Sequence, residues 1–211
     1  MNQQLTIGAV DSLVNRRPWT PPSHQDFAYS LVQAYDQALV NTGSVIIRSN
    51  SLGIHLLAAQ MIRPPADVQA IKSIEGNYAK ADSVLEGVTR ARTGLAATVD
   101  AVVYERPPVL GQRVDSITMA GREIHRATQG RAVMIDNRHA KKVILGRAGS
   151  KNDPVTKAHV KEAVERYITP PPRGSLMPWN EHIRDAVMLA LTWLYDEKQR
   201  QLRIQQARGE A

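Results

Sequence analysis

The chain has 211 residues, 43% hydrophobic and 22% charged, a balance that suits one soluble globular domain with a short appendage. Lysine and arginine number 27 against 20 acidic residues, a net charge of +7 that favours a polyanionic partner, nucleic acid before membrane. With no cysteine, disulfide frameworks and thiolate zinc sites are excluded, and no apolar run reaches the roughly 18 residues of a bilayer span, so a cytoplasmic setting is the expectation.

Residues 1–43 read as an extension ahead of the main domain. "RRPWTPPSHQ" is irregular, because Pro18, Pro21 and Pro22 block regular structure. From Gln25 to Val40, apolar residues at helical spacing predict one amphipathic helix, closed by Asn41-Thr42-Gly43, with Phe27, Leu31, Ala34 and Leu39 on its apolar face. That face can pack on the core, extend a dimer interface or touch DNA.

The main domain, 44–211, opens with a hairpin of Val45–Arg48 and Ile54–Met61 around a Ser/Asn/Gly turn. A helix is expected over Lys80–Thr98. "DAVVYERPP" is a short apolar strand that ends at Glu105 and is stopped by two prolines, the pattern of a strand buried on both faces. "VDSITMAGREIHRATQG" predicts a helix and "RAVMIDN" a strand. "HAKKVILG" is a short extended or turn segment, and a helix opened by Asp153-Pro154 follows. A Pro-rich loop then leads to a long closing helix over 180–206. Strands alternating with helices imply parallel pairing, and the hairpin adds antiparallel strands. The fold class is therefore α/β, with a mixed central sheet flanked by helices.

Three places can carry chemistry. Glu105 stands at the C-terminal end of a buried strand, the edge where open α/β sheets place their sites; alone, it could equally be a solvated glutamate or pair with Arg106. His182 and Asp185, three apart, share one face at the start of the closing helix, which then becomes strongly apolar; alone, they could be a helix N-terminus with favourable acidic charge. Asn50, in the hairpin turn, is placed by this reading at the same sheet edge, although asparagine is common in turns for its backbone chemistry.

In order and spacing these elements resemble the RuvC-type Holliday junction resolvases of the ribonuclease H-like superfamily, over about residues 44–196. Asn50-Ser51-Leu52-Gly53 is similar to the family's first-strand motif, with asparagine where the family has aspartate. "VVYERP" resembles the strand bearing the catalytic glutamate, "KKVILGRAGSKNDPVTKAHVKEAV" the stretch before the last helix, and "HIRDAVMLALT" that helix itself. An earlier first acid, Asp11, fits the spacing less well. The N-terminal extension suggests a phage-encoded member.

The resemblance implies a magnesium-dependent endonuclease, with manganese as a possible substitute, acting as a homodimer on four-way DNA junctions. Asn50, Glu105, His182 and Asp185 would then form the catalytic and metal-binding set, and hydrolysis would leave 5′-phosphate and 3′-hydroxyl ends. Arg106, Arg113, Arg138, Lys141, Lys142, Arg147 and Lys151 would contact DNA phosphates. A neutral amide at position 50 is a far weaker magnesium ligand than a carboxylate. It implies a crippled site, arising from an engineered change or in a natural binding-only protein; the retained Glu105, His182 and Asp185 favour the first. Alternatives are a catalytically dead protein that binds branched DNA, a ribonuclease H-like nuclease for other branched DNA or hybrids, and a non-nucleolytic scaffold.

Overall fold

The computed structural model describes residues 19–93, 98–107 and 114–209. Five strands form one sheet in the order β3-β2-β1-β4-β5: β1 (Leu31–Asp36), β2 (Thr42–Asn50), β3 (Gly53–Ile62), β4 (Ala101–Glu105) and β5 (Val133–Ile135). β1, β2 and β3 are antiparallel neighbours, whereas β4 runs parallel to both β1 and β5. The expected mixed α/β sheet is present. Its central strand, however, lies in the segment read as an extension with a helix over Gln25–Val40. That segment is β1, hydrogen-bonded on both sides, so the main domain begins well before residue 44.

Side-chain parity along β1 and β4 sorts the core into two layers, because successive strand residues point to opposite faces. Val32, Ala34, Ala101 and Val103 join one cluster with Ala140, Ile144, Val160, Val164 and the apolar run Ile183–Leu191. These residues bring α4 (Asn137–Leu145), α5 (Lys157–Glu165) and α6 (Glu181–Ala207) onto that face. Tyr35, Val102 and Tyr104 face the other way, against α2 (Ile74–Thr93) and α3 (Val114–Ala127). A one-turn helix, α1 (Ala66–Ala70), precedes α2. Phe27 and Leu39 pack on the core, the first of the three roles open to that apolar face, but as parts of two different layers.

Three boundaries differ from expectation for local reasons. "HAKKVILG" is helical rather than extended: Asp136 caps α4 by accepting from the His139 amide, Ala140 and Ile144 bury one stripe, and Gly146 ends the helix at φ 78°. α5 starts at Lys157, after a cap by Thr156, not at Asp153-Pro154. α2 starts at Ile74, six residues ahead of Lys80. Among the described residues no helix is long and apolar enough to cross a membrane.

Candidate active site

β1 and β4 pair in parallel up to Tyr35 and Tyr104, so Asp36 and Glu105 emerge side by side at the C-terminal edge of the sheet. Both follow the parity of Val32, Ala34 and Val103, and so point to the face that α6 covers. The two carboxyl groups are in hydrogen-bond contact.

The N-terminus of α6 is brought onto this edge by a close backbone approach. Gly43, the register partner of Asp36, lies under His182: a Cβ there would stand 2.5 Å from the His182 carbonyl oxygen. Asn180 caps α6 by accepting from the Ile183 amide at 3.1 Å, and the buried run that begins at Ile183 anchors the helix. His182 Nδ1 then meets Asp36 Oδ2 at 2.7 Å, and Asp185, one turn on, faces Glu105. The structure thus brings Glu105, His182 and Asp185 together.

Asn50 is not with them. The β1–β2 register places Arg48 opposite Leu31 and Gly43 opposite Asp36, so Asn50 lies at the opposite end of the sheet. At about 3.3 Å per residue it is roughly 20 Å from the acidic cluster along the strand. Its side chain accepts from the Leu52 amide at 2.9 Å, which is turn chemistry. The hairpin is real, but it joins β2 to β3 and does not carry the first acid. Asp36, not Asn50, joins the acidic cluster, and the expectation of a site crippled at position 50 falls with the placement of Asn50. Asp11 lies outside the described residues.

The cluster is electrostatically crowded. Burial, reinforced by the Asp36 charge, pushes the Glu105 carboxyl up to about 7, against a hydrogen bond from Asn137 and the attraction of Lys141. Burial and repulsion by Glu105 lift Asp185 to about 6, with Lys141 and His182 opposing. Asp36 is raised chiefly by its burial, while the hydrogen bond from His182 pulls the other way. The same bond raises the imidazole of His182. Three carboxyl groups thus face two nearby cations, and at neutral pH the Asp36–Glu105 pair retains a proton in part.

Beside the cluster a cleft is bordered by Asn137 and Lys141 of α4, Thr156 and Lys157 at the start of α5, and Glu181, Arg184 and Asp185 of α6. Lys157 pairs with Glu181, and Arg184 donates to the Trp179 carbonyl at 3.1 Å. Lys157 and Arg184 were not picked out from the sequence, since each stands alone among charges of both signs; only the packing of α5 on α6 gathers them. Of the basic residues that were picked out, Lys141 borders the cleft. Arg106 and Arg138 are exposed beside it in sequence, the one after Glu105 and the other on the first turn of α4. Lys142 points instead into a groove with Trp19, Pro22 and Tyr195. Arg147 pairs with Asp153 and contacts His159, Lys151 is exposed, and Arg113 lies outside the described residues.

No protein-family model matches the chain, and no curated protein matches it. Solved structures do. T. thermophilus RuvC in complex with Holliday junction substrate is 17% identical at a TM-score of 0.59, covering 81% of this chain and 96% of that one. A second Thermus thermophilus RuvC structure is 18% identical at 0.55, covering 80% and 96%. The yeast mitochondrial Holliday junction resolvase is 10% identical at 0.56, covering 84% and 83%. At these identities the likeness is one of fold: the chain has the ribonuclease H-like fold of the RuvC-type resolvases.

Proposed function

On a fold shared with the Holliday junction resolvases, we propose that this chain is a divalent-metal-dependent DNA endonuclease acting on branched DNA, four-way junctions above all, as a homodimer. The observation that carries this reading is the convergence of Asp36, Glu105 and Asp185 with His182 at the C-terminal edge of β1 and β4, beneath the N-terminus of α6.

The donor set suits magnesium, a hard cation that takes carboxylate oxygens. Burial, with repulsion from a neighbouring carboxylate, holds Glu105 at about 7 and Asp185 at about 6, and a cation bound among them would relieve that repulsion. Among the described residues no three such donors already converge on one ion position. Asp36 is engaged instead with its neighbours, its Oδ2 meeting His182 Nδ1 at 2.7 Å and its carboxyl lying against that of Glu105. Loss of the shared proton frees carboxylate oxygens of both residues for ligation. When bound, divalent ions would supply the activation of water and the charge neutralisation that phosphodiester hydrolysis requires.

The chain's own residues do the rest. Asp36, Glu105 and Asp185 would hold the ions on a rigid strand-and-helix base. His182, fixed through Nδ1 by Asp36, has its Nε2 3.9 Å from Glu181 and can donate to a phosphate oxygen. Lys141, Lys157 and Arg184 border the cleft where the phosphate backbone would pass, and Arg106 and Arg138 are exposed. Such contacts give affinity with strong salt dependence and little sequence information. A two-fold enzyme would match the two-fold symmetry of a four-way junction, as dimeric binders match palindromic sites.

The test is cleavage of end-labelled four-way junction, flap, duplex and RNA–DNA hybrid with magnesium, with manganese, and with chelator. The proposal expects metal-dependent paired nicks in the junction, with duplex resistant. Cleavage of hybrid or flap in preference to the junction would reassign the substrate, and no cleavage of any form would refute a nuclease.

A further inference from the structure

We infer that Gln37 and Asn137 are positioning residues for Glu105, a pair of carboxamides that fix its backbone and its carboxylate separately; the inference rests on the nuclease reading above. The β1–β4 ladder stops at Tyr35–Tyr104, one step short of the acids. Past that point the buried side chain of Gln37 takes over the pairing. Its Oε1 accepts from the Glu105 amide at 3.0 Å, and its Nε2 donates to the Glu105 carbonyl at 2.5 Å. The amide N–H and carbonyl of one strand residue point to the same side, so a single primary amide satisfies both, as a neighbouring strand would. On the far side the backbone amide of Arg106 donates to the Ile135 carbonyl at 2.7 Å, so the Glu105–Arg106 peptide is held from both flanks.

The carboxylate is held independently. β5 ends at Ile135, opposite Glu105; the chain turns at the cap residue Asp136, and Asn137 becomes the first residue of α4. Its Nδ2 donates to Glu105 Oε1 at 2.8 Å. An amide nitrogen can only donate, so this contact fixes the rotamer of Glu105 and occupies one lone pair. It leaves the other carboxylate oxygen, Oε2, for a cation. A charged donor there would compete with that cation for the carboxylate, and a neutral one does not. Partners that orient ligands in this way are typically worth about 10- to 100-fold in metal affinity.

The experiment measures Mn²⁺ affinity by electron paramagnetic resonance on the full chain. Wild type is compared with Asn137→Leu, Glu105→Gln and the double variant, with thermal unfolding in chelator recorded for each. The proposal predicts about tenfold weaker Mn²⁺ binding in Asn137→Leu, with a single cooperative unfolding transition retained in chelator. It also predicts no further loss when Asn137→Leu is added to Glu105→Gln, because the two act through one contact. Gln37→Met, which keeps shape but loses both amide bonds, is expected to weaken Mn²⁺ binding as well. Failure of wild type to bind Mn²⁺ would overturn the nuclease reading. Wild-type binding with unaltered affinity in Asn137→Leu, or additive losses in the double variant, would overturn the positioning role alone.

Discussion

Lowering pH in chelator should stabilise this protein, and the effect should come from its own acidic cluster. Glu105 is held at about 7 and Asp185 at about 6 in the folded chain, against ordinary values near 4.5 and 3.8. The folded state therefore binds more protons than the unfolded state between those limits. Groups raised in this way contribute stability in full below about pH 4 and lose it as pH rises through about 7. The rise at Glu105 alone corresponds to about 3 kcal/mol, at about 1.4 kcal/mol per pH unit. The Asp185 rise is similar but does not add in full, since part of it is repulsion by Glu105, which is absent while Glu105 is protonated. A total on the order of 3–4 kcal/mol is expected between pH 4.5 and pH 8. Urea unfolding in chelator across that range, for wild type and for a Glu105→Gln, Asp185→Asn double variant, isolates the contribution. The wild type should lose that much more stability than the variant on going to pH 8, and saturating magnesium should abolish the difference in slope. Parallel pH profiles for the two proteins would refute the crowding argument.

Two further perturbations test how the site is assembled and what it touches. Gly43→Ala would set a methyl 2.5 Å from the His182 carbonyl oxygen. It should destabilise the chain by about 1–3 kcal/mol and cut junction cleavage by about tenfold or more through displacement of His182 and Asp185, measured by urea unfolding and cleavage rate. A stable, fully active Gly43→Ala would contradict the placement of α6. Lys141→Ala should reduce the slope of log affinity against log salt for junction binding by about one, whereas Arg147→Ala, whose partner is Asp153, should leave that slope unchanged. Equal slopes for wild type and Lys141→Ala would remove Lys141 from the phosphate path.

Glu105, His182 and Asp185 were legible because each sits at a sharp local boundary. The first is an acid between an apolar strand and two prolines; the other two share a face at the mouth of an apolar helix. Asp36 was not legible, because β1 is central and buried on both faces. Val32, Gln33, Ala34 and Tyr35 are all buried, so the alternation that marks a half-exposed strand is missing, and Phe27, Leu31, Ala34 and Leu39 happen to fall at helical spacing. A signal was present in the repeated pattern of "AYD" and "VYE", two short apolar runs each closing on tyrosine and an acid, which the structure sets side by side. The hairpin at Asn50 joins the two strands expected of it, but its turn lies at the end of the sheet away from the acids, so the motif's place at the site is what fails. α4 was missed for a different reason. Its buried stripe is only Ala140 and Ile144, too narrow to compete with the extended look of "VIL".

The central claim is that Asp36, and not position 50, supplies the first acid of a metal-dependent nuclease. It is tested most directly by four-way junction cleavage with magnesium in wild type, Asp36→Asn and Asn50→Asp. The account predicts metal-dependent cleavage by the wild type, a loss of about a hundredfold or more in Asp36→Asn, and a rate within about twofold of wild type in Asn50→Asp, whose side chain lies in a turn at the far end of the sheet. An inert wild type that gains cleavage on Asn50→Asp, or an Asp36→Asn variant that cuts as fast as wild type, would contradict it.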